Sequence, residues 1–317
     1  MRHPHRRRGD LERGLTDGGP APDRSRSMST LIPILIVGAL ASLVAAAAAG
    51  IGAALVSPAV ATVPADGGRV DLAPERRNVL GRAAIAGLVV GLVLLVIALL
   101  GRAIDVGHAP WSNLHEFSLA FAAALIATYL LLLRGQPIAA LAPLVAILAA
   151  GLVVFALQFE DRVDPLVPAL QQPILLTIHV GTAALAYAVS GVAFLAAVAE
   201  IAQVSAGDRI GGLPSAAVSR AVGHRAVLIA FPILTVAIAL GSVWANLAWR
   251  SYWSNDPKEL AAAATWLVFG AYLHVASRRD RWQRLAPWLI ILGFAGVLFT
   301  YIGAGLFLVG EHSYGQP

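Results

Sequence analysis

Residues 226–276 read AVLIAFPILTVAIALGSVWANLAWRSYWSNDPKELAAAATWLVFGAYLHVA. Two apolar runs flank a short segment, Trp244 to Glu259, that carries three tryptophans, a tyrosine and an Asp-Pro-Lys-Glu turn. The runs have the length and all-round apolarity of membrane-spanning helices, roughly 20 residues each. The segment between them is a poor span and an unusually aromatic loop. Aromatic faces stack on a flat, partly apolar ligand. Lys258, Arg250 or Asn246 would hold polar groups at the rim of such a plate.

The rest of the chain has the same character. Of its 317 residues, 58% are hydrophobic and 13% are charged, and the mean hydropathy is +0.75. Soluble domains carry about twice that charge fraction. The pattern predicts an all-α, polytopic transmembrane bundle of about eight spans, near 30–56, 83–101, 117–133, 138–158, 174–199, 226–248, 260–276 and 287–309. Small residues such as Ala45 to Ala49 permit close helix packing. There are no cysteines, which excludes disulfides, thiolate metal sites, iron–sulfur clusters and covalent haem attachment to this chain's own thiols. The net charge of +5 comes mostly from arginine and fits loops at a membrane surface, so no nucleic-acid partner is expected. No phosphate-binding Gly-x-x-x-x-Gly-Lys string, nucleophile elbow or His-Glu-x-x-His occurs.

Residues 1–27 stand apart as a basic arm with seven arginines, read as disordered. Met28 immediately precedes the first apolar run and is an alternative start. Residues 28–105 supply generic spans, and 106–317 hold the chemistry-bearing positions. Arginines cluster after the first span (Arg69, Arg76, Arg77, Arg82), between the fifth and sixth (Arg209, Arg220, Arg225), and after the seventh (Arg278, Arg279, Arg281, Arg284). These loops are expected on the cytoplasmic side. The loop with Glu160, Asp161 and Asp164, the tryptophan-rich loop and the C-terminus then face outward. That scheme puts the N-terminus outside, against the charge of the arm, and a start at Met28 removes the conflict.

Neutral imidazole is the usual axial ligand of haem iron. His179, near the outer end of the fifth span, and His312, just past the eighth, reach the same face as the aromatic loop. They are the candidate pair for one iron, with Trp244, Trp249 and Trp253 against the macrocycle. Trp249 and Trp253 would share a face if their segment is helical. A plain aromatic belt at the membrane surface is the competing reading. His274 lies in the inner half of the seventh span, where an ionisable residue marks function by default. Its opposite ligand is expected from another subunit. His108 and His115 are reserve candidates, and His224 faces the cytoplasm. Glu116, at the start of the third span, reads as an N-terminal charge stabiliser.

At these residues the chain resembles the CcsA/ResC family of cytochrome c assembly proteins. The resemblance runs from Pro110-Trp-Ser-Asn-Leu-His-Glu116, through His179 and the loop ending in Asp256-Pro257-Lys258-Glu259, to Gly310-Glu-His312-Ser-Tyr-Gly315. It covers roughly two-thirds of the chain. It implies that His179 and His312 ligate haem b (iron protoporphyrin) over a site that includes Trp244, Asn246, Trp249, Trp253, Asp256, Lys258 and Glu259. His274 matches a buried haem ligand whose opposite ligand comes from a CcsB/ResB-like membrane subunit. Haem would pass from the inner site to the outer one, in a bacterial cytoplasmic membrane. There it would be joined to the thiols of an apocytochrome c Cys-x-x-Cys-His segment, with a thiol reductant protein supplied in trans. Three departures bear on the haem pose: Arg250 stands where the family usually has Gly, Asn255 where it has Trp, and His115 where it more often has Tyr. Rival readings are a haem exporter or quinone-linked electron carrier without synthase activity, and a solute transporter gated by the aromatic loop.

Overall fold

The computed structural model describes residues 24–56, 79–159, 173–278 and 284–312. The expected acidic outer loop, most of the basic arm and the arginines at 69, 76, 77, 279 and 281 lie outside the described residues.

The described residues form helices α1 (Arg24–Val56), α2 (Val79–Val106), α3 (Leu114–Leu133), α4 (Ala142–Ala156), α5 (Pro173–Ala206), α6 (Ala216–Trp249), α7 (Pro257–Ala276) and α8 (Ala286–Leu298). A 3-10 turn, Ala139–Leu141, leads into α4, and a π-helical turn, Phe299–Gly303, continues α8. With those turns counted into α4 and α8, all eight are long and apolar enough to cross a membrane, as the hydropathy pattern predicts. Helices α5 and α6 extend past their predicted spans into polar sequence. There Gln203 bonds the 210–214 loop and Asp208 accepts from Ala216 N at 2.7 Å, so hydrogen bonds rather than lipid hold the helix ends. Residues 24–27, expected in the basic arm, are already helical.

Without a hydrophobic drive between helices in lipid, close approach and polar contacts do the joining. Helices α1 and α2 touch where a Cβ on Gly87 would come within 2.9 Å of Ala46 Cβ, and Ser42 Oγ donates to Gly87 O at 2.8 Å. Helices α5 and α6 pair most extensively, and α8 packs against α5 and α7. Large apolar side chains such as Ile34, Val93 and Leu267 face outward, as lipid requires.

Among the described residues, a buried ion pair and a half-exposed one cross between helices. Arg102 Nε lies 2.9 Å from Glu116 Oε1. The other oxygen of Glu116 accepts from Ser112 N (2.9 Å) and Ser112 Oγ (2.7 Å). Glu116 therefore ties α2 to α3, beyond its expected role at a helix start. At the opposite end Arg220 Nε meets Glu200 Oε1 at 2.8 Å. Beneath the end that carries Glu116, Phe117, Phe121, Tyr187 and Tyr301 form an aromatic cluster, with Tyr301 hydrogen-bonded to Ser118. Tyr301 sits in the π-helical turn, which carries one extra residue and re-phases the chain leading to His312.

Candidate functional site

Antiparallel order brings the start of α5, the end of α6, the start of α7 and the chain beyond α8 to one end of the bundle. His179 lies in the second turn of α5. Its Nδ1–H donates to the carbonyl of Ala237 on α6 at 3.0 Å, which turns Nε2 away from α6 as the ligand-type nitrogen. The ring fits against α6 because residue 241 is glycine. A Cβ there would lie 2.6 Å from His179 Cε1.

Trp244 is 2% exposed. Its indole lies parallel to the His179 ring, with centroids 6.1 Å apart at 9°. The same indole meets His312 at 5.7 Å and Trp249 at 4.7 Å, and Trp249 meets His312 edge-on at 4.8 Å. Two histidines 133 positions apart in the sequence thus share one indole.

Helix α6 ends at Trp249 because Arg250 adopts the left-handed conformation (φ 62°, ψ 23°), and its N–H returns to Asn246 O at 3.0 Å. That conformation favours glycine, a physical reason for the glycine usual in the resembling family. Asn255 is also left-handed, at φ 60°, which asparagine tolerates. Trp249 and Trp253 consequently do not share a helical face. Trp253 is 41% exposed, and its Nε1–H donates to Asn255 Oδ1 at 2.9 Å.

The Asp-Pro-Lys-Glu turn is the start of α7. Asp256 caps the helix by accepting from Lys258 N at 2.8 Å, Pro257 occupies the first turn, and Glu259 reaches back to Asp256 N at 3.2 Å and Ser254 N at 2.8 Å. Asp256 is 5% exposed and also accepts the Nδ1–H of His312 at 2.8 Å. Burial alone would raise its carboxyl pKa. The hydrogen bond and charge of His312, with backbone N–H groups of Lys258 and His312, outweigh burial and hold it at about 2. Gly310 lets the chain pass: a Cβ there would run into Asp256 and Pro257. Lys258 and Asn246 are half-buried.

The remaining histidines are dispersed. His274 is exposed on the last turn of α7, at the opposite end, and its side chain makes no hydrogen bond among the described residues. His115 is buried and bonds Ala156 O at 2.9 Å. His108 bonds the adjacent Ala109 carbonyl, and His224 meets Tyr272 Oη at 3.1 Å. The sequence pattern alone misses Gly241, Gly310 and the carbonyl of Ala237. A glycine inside an apolar run is ordinary until a ring is seen against it.

The chain is an integral-membrane helical bundle that presents two oriented imidazoles on a tryptophan platform at one end. Residues 111–312 match the family described as Cytochrome C assembly protein, and the chain belongs to that family. Membership places it in cytochrome c biogenesis and implies haem handling. It is 35% identical over 268 residues to the Cytochrome c biogenesis protein CcsA of Parasynechococcus marenigrum (strain WH8102), a match covering 74% of this chain and 87% of that protein. To the CcsA protein of Chlamydomonas reinhardtii it is 34% identical over 269 residues, 76% of this chain and 75% of that protein. Among solved structures it is similar to Cytochrome c Heme Lyase CcmF, with a TM-score of 0.57 and 22% identity. That match covers 86% of this chain and 46% of the other, so the chain spans about half its length. The likeness is one of fold.

Proposed function

We propose that the chain carries haem b across a bacterial cytoplasmic membrane and presents it on the outer face for attachment to apocytochrome c. It acts there as one subunit of a synthase with a CcsB/ResB-like partner. The observation that carries this reading is the convergence of His179 and His312 on Trp244, each with Nδ1 held by an acceptor behind it. The donor set suits a porphyrin. Among the described residues no group of three or more His, Asp or Glu side chains is placed to hold a bare metal ion. Two imidazoles suffice only where the ligand brings its own equatorial donors.

Haem supplies the vinyl groups that react with the thiols of the Cys-x-x-Cys-His segment. The chain's own residues position it. The Ala237 carbonyl and the Asp256 carboxylate fix the tautomer and aim of the two imidazoles. Trp244 and Trp249 would form apolar walls against the cargo, and Lys258, Asn246 and Arg250 are the polar side chains of the same segment that would meet its carboxylates. Trp253 and Glu259 lie at the outer edge of the same loop. His274 is exposed at the far end of α7, in a position suited to sharing a ligand with the partner subunit. An imidazole exposed near the end of a span is a natural contact for a neighbouring chain. Reductant for the substrate thiols comes from a separate thiol protein, since this chain has no cysteine.

The test is co-expression of the chain and its partner with a Cys-x-x-Cys-His reporter. Covalent haem on the reporter is expected with the wild type and is expected to be lost with His179→Ala and His312→Ala. An exporter or electron carrier would yield no covalent haem with any variant, and a solute transporter would purify without haem.

A further inference from the structure

At the end of the bundle opposite His179 and His312, α1, α2, α3 and the start of α4 enclose a cavity of about 800 Å³. Its lining is largely apolar, with Ile85, Leu130 and Leu133, all half-buried, among its residues. Arg82 and Arg134, both exposed, and Gln136 also line it. Arg82 stands in the first turn of α2, and Arg134 caps the end of α3. Neither guanidinium has an ion-pair or hydrogen-bond partner among the described residues.

A second field has the same sign. The first turn of α2 and the start of α4 both line the cavity, and helix N-termini carry partial positive charge. The interaction of Arg134 with the C-terminus of α3 accounts for one of the two cations. It does not account for Arg82, which sits at a helix start where a cation is unfavourable. A cation retained there calls for an anion.

We infer that this cavity binds an anionic phospholipid of the adjacent leaflet. Its phosphate would lie between Arg82 and Arg134, and an acyl chain along Ile85, Leu130 and Leu133. The shape argues for a lipid over a free anion, because a phosphate ion would leave the long apolar wall unfilled. The charge argues for an anionic lipid over a zwitterionic one, whose cationic headgroup would meet two arginines. The site does not depend on haem handling. In the proposed orientation it lies in the cytoplasmic leaflet, where anionic lipids concentrate.

The test is a titration of the purified full-length chain, in neutral detergent, with phosphatidylglycerol, with phosphatidylcholine and with inorganic phosphate, read by thermal unfolding and by native mass spectrometry of retained lipid. Phosphatidylglycerol is expected to bind and to raise Tm. Arg134→Gln, a change at an exposed position, is expected to weaken it about fivefold, and Arg82→Gln with Arg134→Gln roughly 30-fold. Arg225→Gln, at an exposed position on α6 that does not line the cavity, is the control and is expected to leave binding unchanged. Equal binding of phosphatidylcholine, full binding by Arg134→Gln and by the double variant, or the same Tm shift from inorganic phosphate alone would each overturn the assignment.

Discussion

Replacing Gly241 by Ala sets two physical effects against each other. In the interior of a helix, Gly→Ala is ordinarily stabilising by about 0.5–1 kcal/mol. At this position the new methyl would lie 2.6 Å from His179 Cε1, 3.2 Å from Nδ1 and 3.3 Å from Nε2. Carbon–carbon contacts settle near 3.5–4.0 Å, so the ring must retreat by about 1 Å. The 3.0 Å bond from His179 Nδ1 to Ala237 O then stretches past hydrogen-bonding range. Losing it costs about 1 kcal/mol, and crowding adds about 1–3 kcal/mol. The steric effect exceeds the helix gain. Because the Ala237 carbonyl orients the imidazole, haem affinity is expected to fall by roughly 10–100-fold. The assay is a haem titration of the purified variant followed by Soret absorption, with thermal unfolding of the haem-free protein alongside. A variant that unfolds at higher temperature than wild type, and binds haem with unchanged affinity and spectrum, would refute the reasoning.

His274→Ala is expected to leave the thermal stability of the isolated chain within about 0.5 kcal/mol, since that ring is exposed and makes no hydrogen bond among the described residues. It is expected to remove a haem signal only from the complex with the partner subunit, as seen by comparing spectra of chain and complex. Glu116→Gln removes the counter-charge of the buried Arg102 and is expected to destabilise by about 3–5 kcal/mol, with Arg102→Met plus Glu116→Gln less damaging than Glu116→Gln alone. Thermal unfolding of the two variants checks the order. Asp256→Asn is expected to loosen His312 and broaden the haem spectrum. The folded Asp256 pKa lies below its ordinary value of 3.8, at about 2. The carboxylate's contribution is therefore complete above pH 3.8 and fades only as pH falls through about 2. Unfolding profiles should show no Asp256-dependent step between pH 5 and 8.

The eight spans were legible because lipid imposes one demand, apolarity on all sides, and that demand is written residue by residue. Helix ends beyond the apolar runs were less legible. The last turns of α5 and the first of α6 are held by Gln203 and Asp208, whose partners are loop backbone atoms. The pairing of His179 with His312 was within reach of the sequence because topology alone sends both to one end. What lay behind each ring was not. Whether Asp256 caps a helix, contacts cargo or supports His312 depends on the path of the chain after α8, and the structure has it cap α7 and support His312. The left-handed turn at Arg250 likewise hid from a reading that allowed the helix to run on, because arginine carries no turn signal of its own. The Arg102–Glu116 bond joins elements 14 residues apart. It is invisible until α2 and α3 are seen to meet, and a carboxylate in a first helical turn already has a sufficient local explanation.

The central claim is that one haem iron is held by His179 and His312 together. Near-infrared magnetic circular dichroism and electron paramagnetic resonance of the ferric protein, purified with haem, test it most directly when wild type, His179→Ala and His312→Ala are compared. The account predicts a low-spin, bis-imidazole signature at the outer site in the wild type, and its conversion to a high-spin or haem-free state in both variants. A bis-imidazole signature that survives either substitution would contradict it.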